Sequence, residues 1–245
     1  MDKSFVITQL MGFVIHFSVA FVNGLLVRHK NVKVNYTRKI NHFLLFFLPI
    51  YLHSVFSYER TLESTVMGMI IMVATLIIYI EPIRSRVPMI ATAFLSFDRP
   101  EDRPYTLLWL STQMVAGSLI MIPLIIYFSS IGMIELIYIP LLINGVGDGL
   151  AEPVGIRFGK HPYRTWALFT RKRYIRTLEG SACVLFISII TIVLFRASFT
   201  TPQFIVALAA VPVVMTLAEA LSPHTWDTPF LYTISGLSLS GILMI

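Results

Sequence analysis

Long apolar runs without a charged residue recur along this chain, and they constrain its fold more than any other feature. A helix that spans a bilayer needs about 20 mostly apolar residues. One stretch of 31 residues is too long for a single span, so together with the run after it we expect two spans that turn near Ser129–Gly132. The chain is therefore predicted to be all-α, a polytopic integral membrane bundle of about eight transmembrane helices, within a range of seven to nine. The predicted spans come from the charge-free runs Ser4–Val27, Ile40–Tyr58, Ser64–Ile80, Pro104–Ile134, Gly180–Phe195, Ala197–Ala218 and Thr228–Ile245, and from Glu135–Val146, which follows the longest of them.

Composition supports the same class and excludes others. Charged residues make up 13% of the 245 residues and the mean hydropathy is +0.77, whereas a soluble domain carries about 25% charged residues. These values exclude a water-soluble globule, a disordered chain and a nucleic-acid-binding domain. The single cysteine, Cys183, excludes an internal disulfide and a cysteine-based metal cluster, and its apolar neighbours indicate a thiol buried in the membrane.

The basic residues predict an orientation for these spans. With eight spans, 16 of the 19 lysines and arginines fall in loops on one side, which is the cytoplasmic side by the positive-inside rule. Both termini then face away from the cytoplasm. The segment Val87–Phe97 is too short to span and carries Pro88, so it is predicted to be interfacial or re-entrant. No repeat or linker is visible, which favours one membrane-embedded domain over residues 1–245.

The longest polar stretch, Asp148–Glu179, follows the fifth span, and the main catalytic loop is predicted around it, over residues 144–181. Glycine allows a backbone to approach a ligand closely, and backbone N–H groups freed in this way bind phosphates. The stretch is not a Walker loop, because three residues separate Gly155 from Gly159 and His161 follows Lys160. Close helix packing is the alternative role for these glycines. The phosphate-binding candidates are Gly145, Gly147, Gly149, Gly155 and Gly159.

Acidic and basic side chains share that stretch. Asp148 and Glu152 are four residues apart, on one face of any helix, and paired carboxylates suit Mg²⁺ or another divalent cation. Arg157, Lys160 and Arg164 follow and are predicted to neutralise a polyphosphate. The alternatives are a helix cap for the acids and a positive-inside signal for the bases.

Further candidates fall in other loops that the topology brings to the same side. Arg176 is a candidate phosphate contact, and Glu179 is a candidate metal ligand, with an interfacial salt bridge as the alternative. Arg38 and His42 are one helical turn apart and would project toward one site. Acids at a membrane boundary are functional candidates by default. The secondary candidates of this kind are Glu219 and Asp227.

These motifs resemble the polyprenol kinase family, which includes dolichol kinase, phytol kinase and the CTP-dependent diacylglycerol kinase. The likeness is strong over residues 144–181, through Gly147-Asp148-Gly149-Leu150-Ala151-Glu152 and Arg176-Thr177-Leu178-Glu179-Gly180-Ser181. It is weaker in Arg38-Lys39-x-x-His42 and in Glu219 with Asp227. The chain departs from the family at Thr228, where relatives tend to have asparagine, and at Arg176, where many have lysine.

The resemblance implies a multi-span enzyme that transfers the γ-phosphate of CTP to a lipid alcohol, with Mg²⁺ as helper. The acceptor alcohols it implies are an isoprenoid alcohol (dolichol, polyprenol or phytol) or diacylglycerol. A phosphatidate cytidylyltransferase is the first alternative, but its C-terminal Gly-His-Gly-Gly and Asp-Arg-x-Asp stretches do not occur in residues 219–230. A transporter or a noncatalytic membrane protein is the second, although the charges gather at one boundary and no inverted repeat is visible.

The predicted mechanism is an in-line attack of the lipid hydroxyl on the γ-phosphate, with positioning and charge neutralisation as the main demands. Asp148 and Glu152, helped by Glu179, are predicted to bind Mg²⁺, and the catalytic set also contains Lys160 and His42. Asp148 is also the predicted base, with His42 or Asp227 as alternatives. The partners are the bilayer lipids, a lipid alcohol and a cytosolic nucleoside triphosphate, with no nucleic acid. The predicted nucleotide contacts are Arg38, Lys39, Arg157, Arg176 and the five glycines.

Overall fold

The structure, a computed structural model, describes residues 2–245, and most of them are helical. Within that range the single sheet is a two-stranded antiparallel hairpin. Five helices are long and apolar enough to cross a membrane. The prediction of an all-α membrane protein is confirmed at this level, whereas eight spans and their orientation stay predictions. The five helices are Lys3–Lys30, Leu62–Tyr79, Thr106–Ser130, Ile134–Phe158 and Thr201–Leu221.

The elements follow one another with short connections. Two of the long helices are composite, since Leu62–Tyr79 ends in a 3-10 turn and Ile134–Phe158 contains the π-helical segment Ile143–Asp148. The α-helices are α1 (Lys3–Lys30), α2 (Val34–Val55), α3 (Leu62–Ala74), α4 (Glu81–Arg84), α5 (Pro88–Phe94), α6 (Thr106–Ser130), α7 (Tyr138–Leu142), α8 (Gly149–Phe158), α9 (Leu178–Leu194), α10 (Thr201–Leu221) and α11 (Asp227–Leu243). The strands β1 (Pro162–Ala167) and β2 (Thr170–Thr177) lie between α8 and α9.

Polar side chains fix where the apolar helices begin. Asp2 accepts a hydrogen bond from the Ser4 amide at the start of α1. Thr61 and Thr200 each form a capping box, at the first turns of α3 and α10. Each cap satisfies backbone N–H groups that have no partner inside the helix. At the end of α6 the chain turns at Gly132, whose φ of +70° favours glycine.

Three predicted spans differ from the helices observed. The run at Ile40–Tyr58 lies in α2, which begins earlier, at Val34, and so includes charged residues. The runs at Gly180–Phe195 and Thr228–Ile245 lie in α9 and α11, which have 17 residues each. At 1.5 Å per residue, 17 residues reach about 25 Å, less than the hydrocarbon thickness of about 30 Å. None of the three is among the five long apolar helices.

The predicted catalytic loop is mostly regular structure, and this corrects the sequence analysis. The helix that begins at Ile134 continues through the glycine-rich stretch to Phe158, and the hairpin and the start of α9 complete residues 144–181. A backbone surrounded by apolar side chains must satisfy its own hydrogen bonds, and a helix does so even where glycine lowers helix propensity. Among residues 2–245, Gly132 is the one glycine with positive φ.

Contacts within the chain divide it into two compact units, Met1–Thr112 and Gln113–Ile245, so the single domain predicted stays a prediction. In the first unit, α1 packs on α2 and on α5. A side chain at Gly24 would collide with the backbone carbonyl of Thr92, so glycine permits this close approach. The segment predicted as interfacial or re-entrant contains α5, which is buried against α1 at Ala93 and Phe94.

In the second unit, α9 packs against α8 and α10, and α10 packs against α11. The core between these helices is apolar, with Val184, Ile192, Met215 and Leu239 fully buried. The helices run so that the start of α9, the end of α10 and the start of α11 carry the polar residues of the predicted site. This arrangement determines which of those residues meet.

Candidate functional site

Three carboxylates converge in the second unit from separate elements. Asp148 ends the π-helical segment, Glu219 lies in the last turn of α10, and Asp227 begins α11. One oxygen from each lies within 4.8 Å of the other two. Asp148 and Glu219 are buried and Asp227 is partly buried. A π-helical turn inside an α-helix is often found at functional sites, and here it carries Asp148 into the group.

Arg176 from β2 joins this three-acid group. Its Nη1 donates to Oε1 of Glu219 at 2.8 Å and to the backbone carbonyl of Glu219. Its Nη2 lies 3.6 Å from Oδ2 of Asp227. The side chains of Arg176 and Glu219 are 11% and 5% exposed, so this is a buried ion pair. Burial alone would lower the pKa of Arg176, but the carboxylates of Asp227 and Glu219 outweigh it and raise that pKa, so the guanidinium stays charged.

A chain of hydroxyl groups orients the second oxygen of Glu219. Ser181, in the first turn of α9, donates to Oε2 of Glu219 at 2.8 Å. The Tyr163 hydroxyl lies 2.7 Å from the Ser181 hydroxyl. Burial, reinforced by the Glu219 carboxylate, raises the pKa of Tyr163, which keeps its phenol protonated. Both oxygens of Glu219 therefore accept hydrogen bonds, and the carboxylate is held in one orientation.

The inner face of the hairpin, formed by Tyr163, Thr165, Tyr174 and Arg176, positions the Arg176 side chain. Tyr163 on β1 is directly opposite Arg176 on β2. The hairpin is fixed to the connection between α10 and α11, because Thr165 Oγ1 donates to the Ser222 carbonyl at 3.0 Å and the His224 amide donates to the Trp166 carbonyl at 2.7 Å. The rings of His224 and Tyr174 stack with centroids 3.7 Å apart. These contacts hold Arg176 against the three acids.

A buried amide connects α11 to the π-helical segment. Asn144 is fully buried, and its Nδ2 donates to Thr228 Oγ1 at 3.1 Å. The Tyr232 hydroxyl also shares a hydrogen bond with Asn144. Thr228 directly follows Asp227, so its hydrogen bond with Asn144 connects the start of α11 to the segment that carries Asp148.

Several glycines of residues 144–181 lie where a neighbouring helix or strand approaches the backbone closely. A side chain at Gly147 would press on the backbone of Val184 in α9, at 3.2 Å. Side chains at Gly155 and Gly159 would both collide with Thr177. Gly145 and Gly149 are buried and helical. This favours the close-packing alternative over a backbone loop that surrounds a phosphate.

The other predicted residues of this stretch lie outside the three-acid group, within residues 2–245. Glu152 follows Asp148 by one turn and is partly buried in α8. Glu179 accepts from His161, with Nδ1 and Oε1 2.7 Å apart, and from the His161 amide. Hydrogen bonds from its own backbone amide and from His161 lower the pKa of Glu179 to about 2. Arg157 and Lys160 are exposed.

Arg38, Lys39 and His42 lie in α2 of the first unit. Lys39 is 4% exposed, whereas Arg38 and His42 are partly exposed. The His42 ring lies 4.8 Å from the ring of Phe46. The helix around them is held by Asn41, whose Nδ2 donates to Ser96 Oγ at 2.7 Å. Their part in nucleotide binding stays a prediction.

Sequence reasoning missed three residues that complete the site: Tyr163, Ser181 and Asn144. Ser181 and Asn144 stand beside predicted site residues in apolar surroundings, where a buried polar side chain needs a partner. That signal was available for both. Tyr163 had no such signal, because its role depends on the register of the hairpin.

Comparison of the chain with known protein families, with curated proteins and with solved structures finds no match.

Proposed function

We propose that this chain is a membrane-embedded phosphotransferase that moves the γ-phosphate of CTP to the hydroxyl of a lipid alcohol. The observation that carries the proposal is the three-acid group beside Arg176, assembled from four separate elements in a chain with long apolar helices. A buried group of this kind costs folding free energy, so it requires a compensating role. The resemblance to polyprenol kinases supplies the reaction class.

The three acids fit a divalent cation. Oxygen ligands of one cation, bound at about 2.0–2.6 Å, lie no more than about 4–5 Å apart, and the carboxylate oxygens of Asp148, Glu219 and Asp227 meet that limit. Within the group, three carboxylates stand against one guanidinium, so a divalent cation would balance its charge. We propose these three residues as the Mg²⁺ ligands. A Mg²⁺ ion held by these residues would neutralise negative charge on the triphosphate.

Asp148 belongs both to this ligand set and to the set predicted from spacing. Glu152 and Glu179 remain predictions outside it. Arg176 has a different proposed role from the predicted phosphate contact, because it already donates to Glu219. It keeps the carboxylates in place and charged, which makes it a positioning residue.

The exposed bases at and just after the end of α8, Arg157 and Lys160, are the proposed contacts to the phosphates of the nucleotide. Arg164, also predicted to neutralise a polyphosphate, pairs with exposed Ile175 on the side of the hairpin that faces away from Arg176. The oxygen of the lipid hydroxyl forms a bond to the γ-phosphorus while the bond to the bridging oxygen breaks, which releases CDP. The hydroxyl proton passes to a carboxylate of the three-acid group. The lipid tail stays in hydrocarbon throughout, and the basic loops set the proposed cytoplasmic orientation.

One labelling experiment tests the reaction. The purified full chain is offered CTP labelled at the γ- or the α-phosphate, with Mg²⁺ and with dolichol, phytol or diacylglycerol in mixed micelles. The proposal expects γ-label in the lipid. Label from the α-phosphate in phosphatidate-containing micelles would identify a cytidylyltransferase instead, and no transfer from either position to any lipid would overturn the enzyme proposal.

A variant pair tests the site. Asp148→Asn is expected to lower lipid phosphorylation at least about 100-fold, because it removes a metal-binding carboxylate. Glu63→Gln, at an exposed acid in the first turn of α3, is the matched control and should leave the rate unchanged. Thermal unfolding of both variants separates loss of chemistry from loss of fold. Unchanged turnover in folded Asp148→Asn protein would remove Asp148 from the mechanism.

A further inference from the structure

We propose that the outer face of the β1–β2 hairpin is a binding surface for the anionic lipid headgroups of the bilayer in which the protein sits. The hairpin has two faces, and only the inner one is used by the three-acid group. This proposal concerns the outer face and does not depend on the phosphotransfer reaction. It starts from the alternation of side chains along a strand.

The pairing register assigns the basic residues to the outer face. Arg164 is directly opposite Ile175, and both are exposed, whereas the next pair, Thr165 and Tyr174, is buried. Arg173 is exposed as well, so it shares the side of β2 that carries Ile175. Consecutive residues of each strand therefore face opposite sides of the hairpin.

The outer face combines positive charge with exposed apolar side chains. The hairpin, residues 162–177, contains five basic residues and no acidic one. Arg176 is directed inward, and the other four are exposed. Phe169 at the tip is 56% exposed and Ile175 is 71% exposed. The exposed basic residues are Arg164, Arg171, Lys172 and Arg173, and the three arginines are the ones on the outer face, because Lys172 lies on the side of Tyr174, with its Nζ 5.5 Å from the centre of that ring.

The hairpin is attached at both ends to apolar helices. It follows Phe158, the last residue of a helix long and apolar enough to cross a membrane, and it precedes Leu178, the first residue of apolar α9. Phe158 and Leu178 are each 59% exposed. Six residues of β1 reach about 20 Å at most, so the whole hairpin stays near the water–bilayer boundary.

Charge and position together identify the occupant. Each arginine near an anionic membrane surface raises the affinity for that surface about five-fold. The three outer arginines should therefore raise the affinity of the hairpin for a bilayer that contains anionic lipid about a hundred-fold. Exposed phenylalanine and isoleucine side chains are stabilised when they leave water and enter the region between headgroups and acyl chains. A soluble polyphosphate would meet the same charges but would not use the apolar side chains.

Hydrogen exchange of the hairpin in nanodiscs tests the proposal. The full chain is reconstituted in phosphatidylcholine alone or with about one third phosphatidylglycerol, at low and at high salt. Anionic lipid is expected to slow exchange of the Leu168 and Phe169 amides at the hairpin tip about ten-fold or more, and high salt should abolish the effect. Equal exchange in both bilayers would overturn the proposal.

Variants locate the effect on the hairpin. Arg164→Gln/Arg171→Gln/Arg173→Gln should lose the slowing in anionic nanodiscs while its exchange in phosphatidylcholine stays that of the unaltered chain, which shows that the hairpin still folds. The matched control removes three exposed basic residues from the first unit, as Arg28→Gln/Lys30→Gln/Lys33→Gln, and should retain the slowing. Slowing that persists in the hairpin variant, or disappears in the control, would contradict the assignment.

A last arm separates the sources of phosphate. Inorganic tripolyphosphate added to phosphatidylcholine nanodiscs should leave exchange at the tip unchanged. If tripolyphosphate slows exchange and phosphatidylglycerol does not, the surface binds soluble polyphosphate and the lipid assignment is wrong.

Discussion

Replacing Arg176 by glutamine would remove the guanidinium that Glu219 and Asp227 share. In the folded chain both acids are nearly buried, since their side chains are 5% and 13% exposed, and Arg176 itself is 11% exposed. The variant would leave the carboxylates in the same surroundings without that positive charge. We therefore expect a large loss of stability.

The magnitude follows from this burial. Removing one partner of a buried ion pair costs about 3–5 kcal/mol, because the remaining charge is left in a medium of low polarity. For a domain of about 150–250 residues, each kcal/mol lowers the melting temperature by about 2–4 °C. Arg176→Gln should then melt about 6–20 °C below the unaltered chain. An exposed ion pair would shift it by about 0–4 °C.

Thermal unfolding of the purified protein in detergent, followed by tryptophan fluorescence, measures this shift. Arg164→Gln is the matched control, because Arg164 lies on β1 of the same hairpin and is exposed. Its melting temperature should stay within about 2 °C of the unaltered chain. A shift of that small size in Arg176→Gln as well would refute the buried-pair reasoning. Mg²⁺ should raise the melting temperature of Arg176→Gln more than that of the unaltered chain, since the variant lacks one opposing positive charge.

Three further changes probe the same unit. Because the pKa of Glu179 is lowered to about 2 in the folded chain, the unfolded chain binds the proton more readily, and the stability that Glu179 contributes is present above about pH 4.5 and lost as the pH falls toward 2. Glu179→Gln should thus melt lower than the unaltered chain at neutral pH, and thermal unfolding should show the difference disappear in acid; a constant difference would contradict the assignment. Ser181→Ala should cost about 1–3 kcal/mol in the same assay, because it leaves Glu219 and Tyr163 with one hydrogen bond fewer each, and an unchanged melting temperature would count against the hydroxyl chain. Gly180→Ala should cost about 1–3 kcal/mol, since the added methyl would meet the Ala151 carbonyl at 2.6 Å, whereas Gly241→Ala, in open space, should be neutral or slightly stabilising.

The membrane helices were predictable because a bilayer requires long apolar segments, and that requirement shows directly in the sequence. Ser4–Val27 was predicted as a span and lies within α1, and the turn predicted near Ser129–Gly132 is where α6 ends. Helices α2, α9 and α11 were also predicted as spans, but their polar or short sequences keep them outside the five long apolar helices. Hydropathy alone does not determine whether such helices cross a membrane. Neighbouring helices of the same protein can bury their apolar faces or form hydrogen bonds with their polar side chains instead.

The members of the three-acid group were all predicted as functional residues, since each is an acid near the end of an apolar segment. Their association was not predictable. Asp148 and Asp227 are 79 positions apart in the chain, and only the packing of α9, α10 and α11 brings them together. Spacing along one helix favoured Glu152 as the partner of Asp148, because a sequence shows neighbours on one helix more directly than neighbours in space.

The glycine-rich stretch was predicted to be a loop, and this prediction was wrong. Five glycines in residues 144–159 are typical of a flexible loop in water. Here the stretch continues a helix as far as Phe158, so that four of the five glycines are helical, because the apolar surroundings leave the backbone no other hydrogen-bond partners. The glycines lack side chains where the helix Ile134–Phe158 closely approaches α9 or the residue before it, as Gly147 does at Val184 and Gly155 does at Thr177. Composition alone does not distinguish these two uses of glycine.

A simple count of the basic residues in the β1–β2 hairpin includes residues with two different environments. Tyr174, Ile175 and Arg176 are consecutive, yet Arg176 contacts the three-acid group and Tyr174 is buried against His224, while Ile175 between them is 71% exposed. A strand reverses its side at each residue, so one short segment presents a buried guanidinium to the carboxylates and exposed arginines to the surroundings. In a loop without this alternation, Arg173 and Arg176 would be equivalent bases. The β-structure directs Arg176 toward the acids, where we propose it as a positioning residue, and leaves Arg173 exposed on the opposite face.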